Sequence, residues 1–113
     1  MNKDNNKRRA KRIDFSCEAK IRFLDEDKEI SVNIKDISLS GVRVIIGGRI
    51  VNINTPLAIR IRIKERYINC KGRITWVLAL RPGLGNINVF DVGIEFTEMN
   101  PEDRAFLEKL LGQ

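Results

Sequence analysis

The chain has 113 residues, which allows one domain and one core. It carries 21 Lys and Arg against 15 Asp and Glu, a net charge of +6, with no histidine and two cysteines. These figures exclude serine–histidine and cysteine–histidine nucleophiles, a disulfide framework and a four-ligand zinc site of Cys and His.

The charge is uneven. Residues 1–12 hold Lys3, Lys7, Arg8, Arg9, Lys11 and Arg12 against Asp4, a net +5 that leaves +1 for everything after. A near-neutral body argues against a broad basic face, so nucleic acid is not the expected partner. The basic segment is polar and lacks apolar periodicity, so residues 1–12 are expected as a flexible arm and residues 13–113 as the folded domain. No apolar stretch follows the arm as in a secretory signal, and no uncharged apolar run nears the ~18 residues of a membrane span. A cytoplasmic location is the expectation.

In chain order, Phe15, Cys17, Ala19, Ile21 and Phe23 alternate with polar residues, the period of a half-buried strand. A polar turn over Asp25–Lys28 leads to a second strand through Ile30, Val32 and Ile34, and the two form a hairpin. Asp36–Gly41 interrupts the pattern. A third strand runs over Val42–Ile46 and ends at Gly47-Gly48. Leu57, Ile59, Ile61 and Ile63 mark a fourth. Ile68, Cys70, Gly72, Ile74, Trp76 and Leu78 share one parity of a fifth. A loop follows through Arg81-Pro82-Gly83 and Gly85-Asn86, and Phe90, Val92, Ile94 and Phe96 mark a sixth. Both cysteines fall at apolar positions, so buried free thiols are expected.

The period then changes. Asn100 reads as an N-cap, Pro101 as the first helical residue, and Glu102 and Asp103 as first-turn acids. Phe106, Leu107, Leu110 and Leu111 form one stripe at helical spacing, and Gly112 is a stop. The sequence predicts a mainly β fold, a six-stranded antiparallel β-barrel with a C-terminal α-helix over about 101–111. Closure removes the exposed edges that so many short strands would otherwise leave.

Two segments carry chemistry. The arm offers arginines, whose planar donor forks match phosphate oxygens or the O6/N7 edge of guanine. Asp36-Ile37-Ser38-Leu39-Ser40-Gly41 offers a carboxylate that accepts from a guanine N1–H and N2–H2 edge, and a hydroxyl that can donate to phosphate. Gly41 permits a positive φ and a close ligand approach. A hairpin turn centred between Glu26 and Asp27 sets Arg12 opposite Gly41 and brings the segments into one site. The set suits a ligand with both guanine and phosphate. Taken singly, the arm also reads as a solubilising tail, and Asp36–Gly41 as a turn whose side chains cap local backbone.

Arg8-x-x-x-Arg12 followed by Asp36-x-Ser38-x-x-Gly41 resembles the two-part signature of PilZ domains. The resemblance continues through Gly72-Arg73-Ile74-Thr75-Trp76, Gly93-Ile94-Glu95-Phe96 and the helix begun by Pro101. It implies a six-stranded barrel that binds cyclic di-GMP, with no other cofactor. Arg8 and Arg12 would contact guanine edges and phosphates, Asp36 a guanine, Ser38 a phosphate region, and Gly41 would shape the loop. The implied role is a receptor or adaptor, not an enzyme, that orders its arm on ligand binding and signals to a downstream protein in bacterial motility, biofilm or exopolysaccharide control.

Lys7, Arg9 and Arg43 are additional candidate contacts, each equally readable as a solvated charge. Trp76 stays open between two readings. Its parity says core, whereas a bulge would expose the ring, and in relatives a tryptophan near this point can stack on guanine. Glu65, Glu95, Glu98, Glu102 and Asp103 read as solvated or helix-terminal charges rather than an acid pair. Two other functions remain: a small basic β-barrel that binds nucleic acid, and a PilZ-like adaptor that binds no nucleotide.

Overall fold

The computed structural model describes residues 13–80 and 88–112, with side chains from Cys17 onward. Six strands precede one helix: β1 Ile13–Phe23, β2 Glu29–Ile37, β3 Gly41–Gly47, β4 Pro56–Ile63, β5 Arg66–Ala79, β6 Val89–Met99 and α1 Pro101–Leu110. The strands close into an antiparallel barrel in the order β1-β2-β3-β6-β5-β4, with β1 and β4 completing the ring. The expected barrel and helix are both present. The arm and the Arg81–Asn86 loop lie outside the described residues.

The alternation read from the sequence is the alternation of burial. Ile21, Ile34, Val44, Ile61, Ile68 and Val92 are fully buried inside the barrel, while their strand neighbours face out. The helix extends the core with Leu107 and Leu111. Asn100 caps it through Oδ1, which accepts the Asp103 N–H at 2.8 Å, and Gly112 ends it at φ 75°. Both cysteines are free; Cys70 is buried, but Cys17 only half-buried.

Three points differ from expectation. The β1–β2 hairpin pairs Arg22 with Glu29 and Cys17 with Ile34, a register two residues from the one expected. The Glu26 N–H donates to the Phe23 carbonyl at 2.9 Å and tightens the turn toward β1. A further shift between Asp14 and Cys17 then sets Ile13 opposite Ile37. β1 therefore begins with Ile13 opposite Ile37, next to Ser38, while the expected pairing of Arg12 with Gly41 lies outside the described residues.

Leu78 departs from core parity and is 56% exposed. A register shift between Ile74 and Trp76 inserts an extra residue into β5 and turns the rest of the strand over. Asp103 is buried, not a solvated helix-terminal charge. Its Oδ1 accepts from Arg66 Nη2 at 3.1 Å and its Oδ2 from the Asn69 N–H at 3.3 Å, tying α1 to β5.

Candidate functional site

Three strands bulge at the same level of the barrel: β1 between Asp14 and Cys17, β2 between Ile34 and Asp36, and β5 between Ile74 and Trp76. A bulge re-aims the side chains beyond it. In β2, Asp36 would follow Val32 and Ile34 inward; the shift instead pairs it with Arg43, while Ile37 takes the core position. In β5, the shift pairs Trp76 with Gly93 and turns the indole outward, 41% exposed. The bulge reading of Trp76 is the one the fold adopts.

The result is a row across four strands: Asp36 on β2, Arg43 on β3, Gly93 on β6 and Trp76 on β5, each paired with the next. With strands about 4.8 Å apart, the row spans roughly 14 Å. It floors a cleft of about 390 Å³ whose walls include Ser40, Gly41, Thr75 and Glu95.

Arg43 holds the centre. Its Nη1 donates to Asp36 Oδ2 at 3.0 Å, and its Nε donates to Asp91 Oδ1 at 2.9 Å and Oδ2 at 3.1 Å. The two carboxylates keep this guanidinium charged, Asp91 contributing more than Asp36, and raise it above the ordinary arginine value. Arg43 thus lines the cleft as the centre of an ion-pair network rather than as a solvated charge. Asp91 carries no signal of its own in the sequence, where an acid at an outward position of β6 reads as solvated. Its register position beside Arg43 gives it meaning, and that position requires the fold.

The glycines answer to close contact. A Cβ on Gly93 would lie 2.7 Å from Cδ1 of Trp76 and closer still to its Nε1 and Cε2, so the indole rests on bare backbone. A Cβ on Gly41 would overlap the Ile94 carbonyl oxygen and come within 3.2 Å of the Glu95 Cα. Gly41 does not have the positive φ expected of it; it is glycine because β3 and β6 meet there.

Ser38 is buried, and its Oγ accepts the Ser40 N–H at 3.1 Å and meets the Ser40 hydroxyl at 3.0 Å. The Ser38 N–H donates to the Gly41 carbonyl at 2.9 Å, so Ser38 shapes the loop while Ser40 lines the cleft. The Phe96 N–H donates to the Ser40 carbonyl at 2.8 Å and pins the loop to β6. Lys7, Arg8, Arg9 and Arg12 lie outside the described residues. Among those described, no cluster of three metal-ligating side chains occurs, and no helix is long and apolar enough to cross a membrane.

The cleft thus presents carboxylate, guanidinium, loop backbone and an aromatic face in one line, beside the strand that leads to the arm. The family model described as PilZ domain matches residues 6–113. The chain belongs to the PilZ domain family.

Several solved structures share the fold. The Bacillus subtilis inhibitor of motility MotI/DgrA is 19% identical at a TM-score of 0.74, over 92% of this chain and 49% of that one. The PilZ domain of YcgR from Escherichia coli, solved with c-di-GMP, is 13% identical at 0.72, over 93% and 88%. The K. pneumonia MrkH–c-di-GMP complex is 17% identical at 0.75, over 92% and 50%. This chain spans about half the length of MotI/DgrA and MrkH. No curated protein matches it in sequence.

Proposed function

We propose that this PilZ domain is a cytoplasmic cyclic di-GMP receptor whose site is completed by its own N-terminal arm. The observation that carries the reading is the row Asp36–Arg43–Gly93–Trp76 along the cleft. A carboxylate held by arginine is a poor neighbour for a plain phosphate but a good acceptor for a guanine edge. The indole at the far end offers a flat face for a base. Arg8 and Arg12 supply forks for phosphates and guanine edges, with Lys7 and Arg9 beside them. Ser38 and Gly41 hold the loop that faces the ligand. The YcgR and MrkH structures, both with c-di-GMP, support this ligand for the fold.

The domain reads a nucleotide and does not turn it over. Ligand phosphates neutralise part of the +5 arm and draw it onto the barrel, and the resulting surface is what a downstream protein recognises. Control of motility, biofilm or exopolysaccharide is the process this serves. A few bidentate contacts at ~1–3 kcal/mol each reach the roughly −8 kcal/mol of micromolar binding after ordering costs.

The test is calorimetric titration with cyclic di-GMP, with GTP and cyclic GMP as controls. Arg8→Ala and Arg12→Ala each weaken cyclic di-GMP binding at least tenfold without lowering Tm. Unchanged affinity in both variants, or equally tight binding of the mononucleotides, overturns the assignment.

A further inference from the structure

The near-neutral sum of the body conceals a segregation of charge. The outer face of β1, β4 and the first half of β5 lies around the barrel from the cleft, with β4 three strands from β3 in either direction. While Leu57, Ile59, Ile61 and Ile63 of β4 point into the core, Arg60 and Arg62 point out, Lys64 follows them exposed in the turn, and β4 has no acidic residue. On β1, Lys20 pairs with Arg60 and Arg22 with Ala58; on β5, Lys71 pairs with Ala58 from the other side. Six cations therefore share one continuous sheet surface.

Acids offset them only in part. Glu29 reaches across β1 to Arg60 on the central strand at 3.6 Å, and Glu98 reaches Lys71 at 3.7 Å, both exposed contacts. Glu18 on β1 and Glu65, beside Lys64 in the β4–β5 turn, are the further acids nearby, so six cations face four acids. Among the described residues, Lys20, Arg22, Arg62 and Lys64 form no ion pair within 4 Å, although Glu29 lies opposite Arg22 in the β1–β2 register. Lys20 instead donates to Ser31 Oγ, and Arg62 Nε to the Lys64 carbonyl.

We propose that this face binds the phosphate backbone of a nucleic-acid duplex, independently of base sequence. Three features favour a duplex. Alternate residues of a strand are about 6.6 Å apart, close to the rise of two phosphates of one strand along the duplex axis at about 3.4 Å each. Arginine, the better phosphate fork, supplies Arg22, Arg60 and Arg62. The face presents one exposed aromatic ring, Tyr67, with Arg60 stacked 5.4 Å from its centroid, which is too little for the stacking platform that single strands require. A lipid surface would need apolar side chains to insert, yet the exposed Leu24, Ile50 and Ile53 sit in loops, and Trp76 and Leu78 project on the cleft side.

The experiment is fluorescence anisotropy with a labelled DNA duplex of about two helical turns and arbitrary sequence, across a salt series. Three proteins are compared: the full chain, the face variant Lys20→Ala/Arg60→Ala/Arg62→Ala, and an arm variant with Lys7, Arg8 and Arg9 changed to Ala. The full chain binds in dilute salt, and log K falls linearly with log salt. The face variant binds at least tenfold more weakly, and its salt slope shrinks by roughly 2 to 3, about one for each phosphate no longer neutralised. Arg60→Lys/Arg62→Lys keeps the slope. No duplex binding at about 50 mM salt overturns the proposal. So does weakening confined to the arm variant, or binding to anionic phosphatidylserine vesicles without binding to DNA. A face variant that unfolds is caught by its Tm; the test then passes to Lys20→Gln and Arg62→Gln singly, each of which lowers the slope by about one, and unchanged slopes in both overturn the proposal.

Discussion

Arg43 reaches Asp36 through Nη1 at 3.0 Å and Asp91 through Nε at 2.9 Å, so one guanidinium joins a residue of β2 to a residue of β6 across β3. Asp36 and Asp91 are only 6% and 8% exposed. Removing the cation they share leaves two nearly buried carboxylates facing one gap. Arg43→Ala is expected to cost about 1–3 kcal/mol, a fall of several degrees in Tm. Arg43→Lys restores charge but cannot serve both sides at once, and recovers only part of the loss. Urea denaturation of the three proteins measures this; an unchanged midpoint for Arg43→Ala would mean that the bridge contributes nothing net.

The Trp76–Gly93 contact predicts a second outcome. Trp76 is the single tryptophan of the chain, so its emission reports the cleft without a label. A methyl group at Gly93 has no room beneath the ring, and Gly93→Ala is expected to displace the indole, shift its emission and weaken cyclic di-GMP binding. Trp76→Ala should cost about 1–3 kcal/mol of binding if a base stacks there. Wild-type affinity in Trp76→Ala would remove the aromatic face from the ligand site.

Thiol ionisation supplies a pH dependence. Burial pushes the Cys70 thiol up to about 12, with the nearby Asp103 charge adding to it, and pushes Cys17 up to about 11. An unfolded thiol ionises near 9.0, while the folded Cys70 keeps its proton to about 12. The stability this contributes is complete below about pH 9 and drains away as pH climbs from there toward about 12. Urea melts between about pH 8 and about pH 10.5, spanning the rise through the unfolded value, should show wild type losing stability faster than Cys70→Ala. Parallel slopes would show that the thiol is not the group responsible.

The helix junction gives a fourth expectation. Asn100→Ala removes the acceptor of the Asp103 N–H and should cost about 1 kcal/mol. Asp103→Ala removes the acceptor of both Arg66 and the Asn69 N–H and should cost about 1–3 kcal/mol. Denaturation midpoints order the two; a larger loss for Asn100→Ala would mean that the cap, not the tie to β5, secures α1.

The barrel is legible because a strand with one buried face writes its period into the sequence, and because Asn100, Pro101 and Gly112 punctuate the helix. The bulges are not legible, since an extra residue reverses parity without changing composition. That is why Leu78 reads as core, and why the side on which Trp76 lies is decided only by the Ile74–Trp76 shift. Asp36 and Gly41 stand out by their chemistry. Asp91 and Gly93 gain meaning only once β6 lies between β3 and β5, a relationship that no local window contains. The same holds for the basic face, since a charge sum along the chain does not record which side of a barrel each charge occupies.

Closure of the barrel governs how the domain comes to be folded. Ala19 meets Ile61, and Gly41 meets Glu95, so the pairings that complete the ring join segments made far apart in time. Such non-local topologies fold in milliseconds to seconds rather than microseconds. Asp36 and Arg43 can meet early, within one hairpin, but Asp91, Gly93 and Trp76 join them only when the last strands dock. The cleft therefore takes shape late and all at once, and a half-made barrel does not have it.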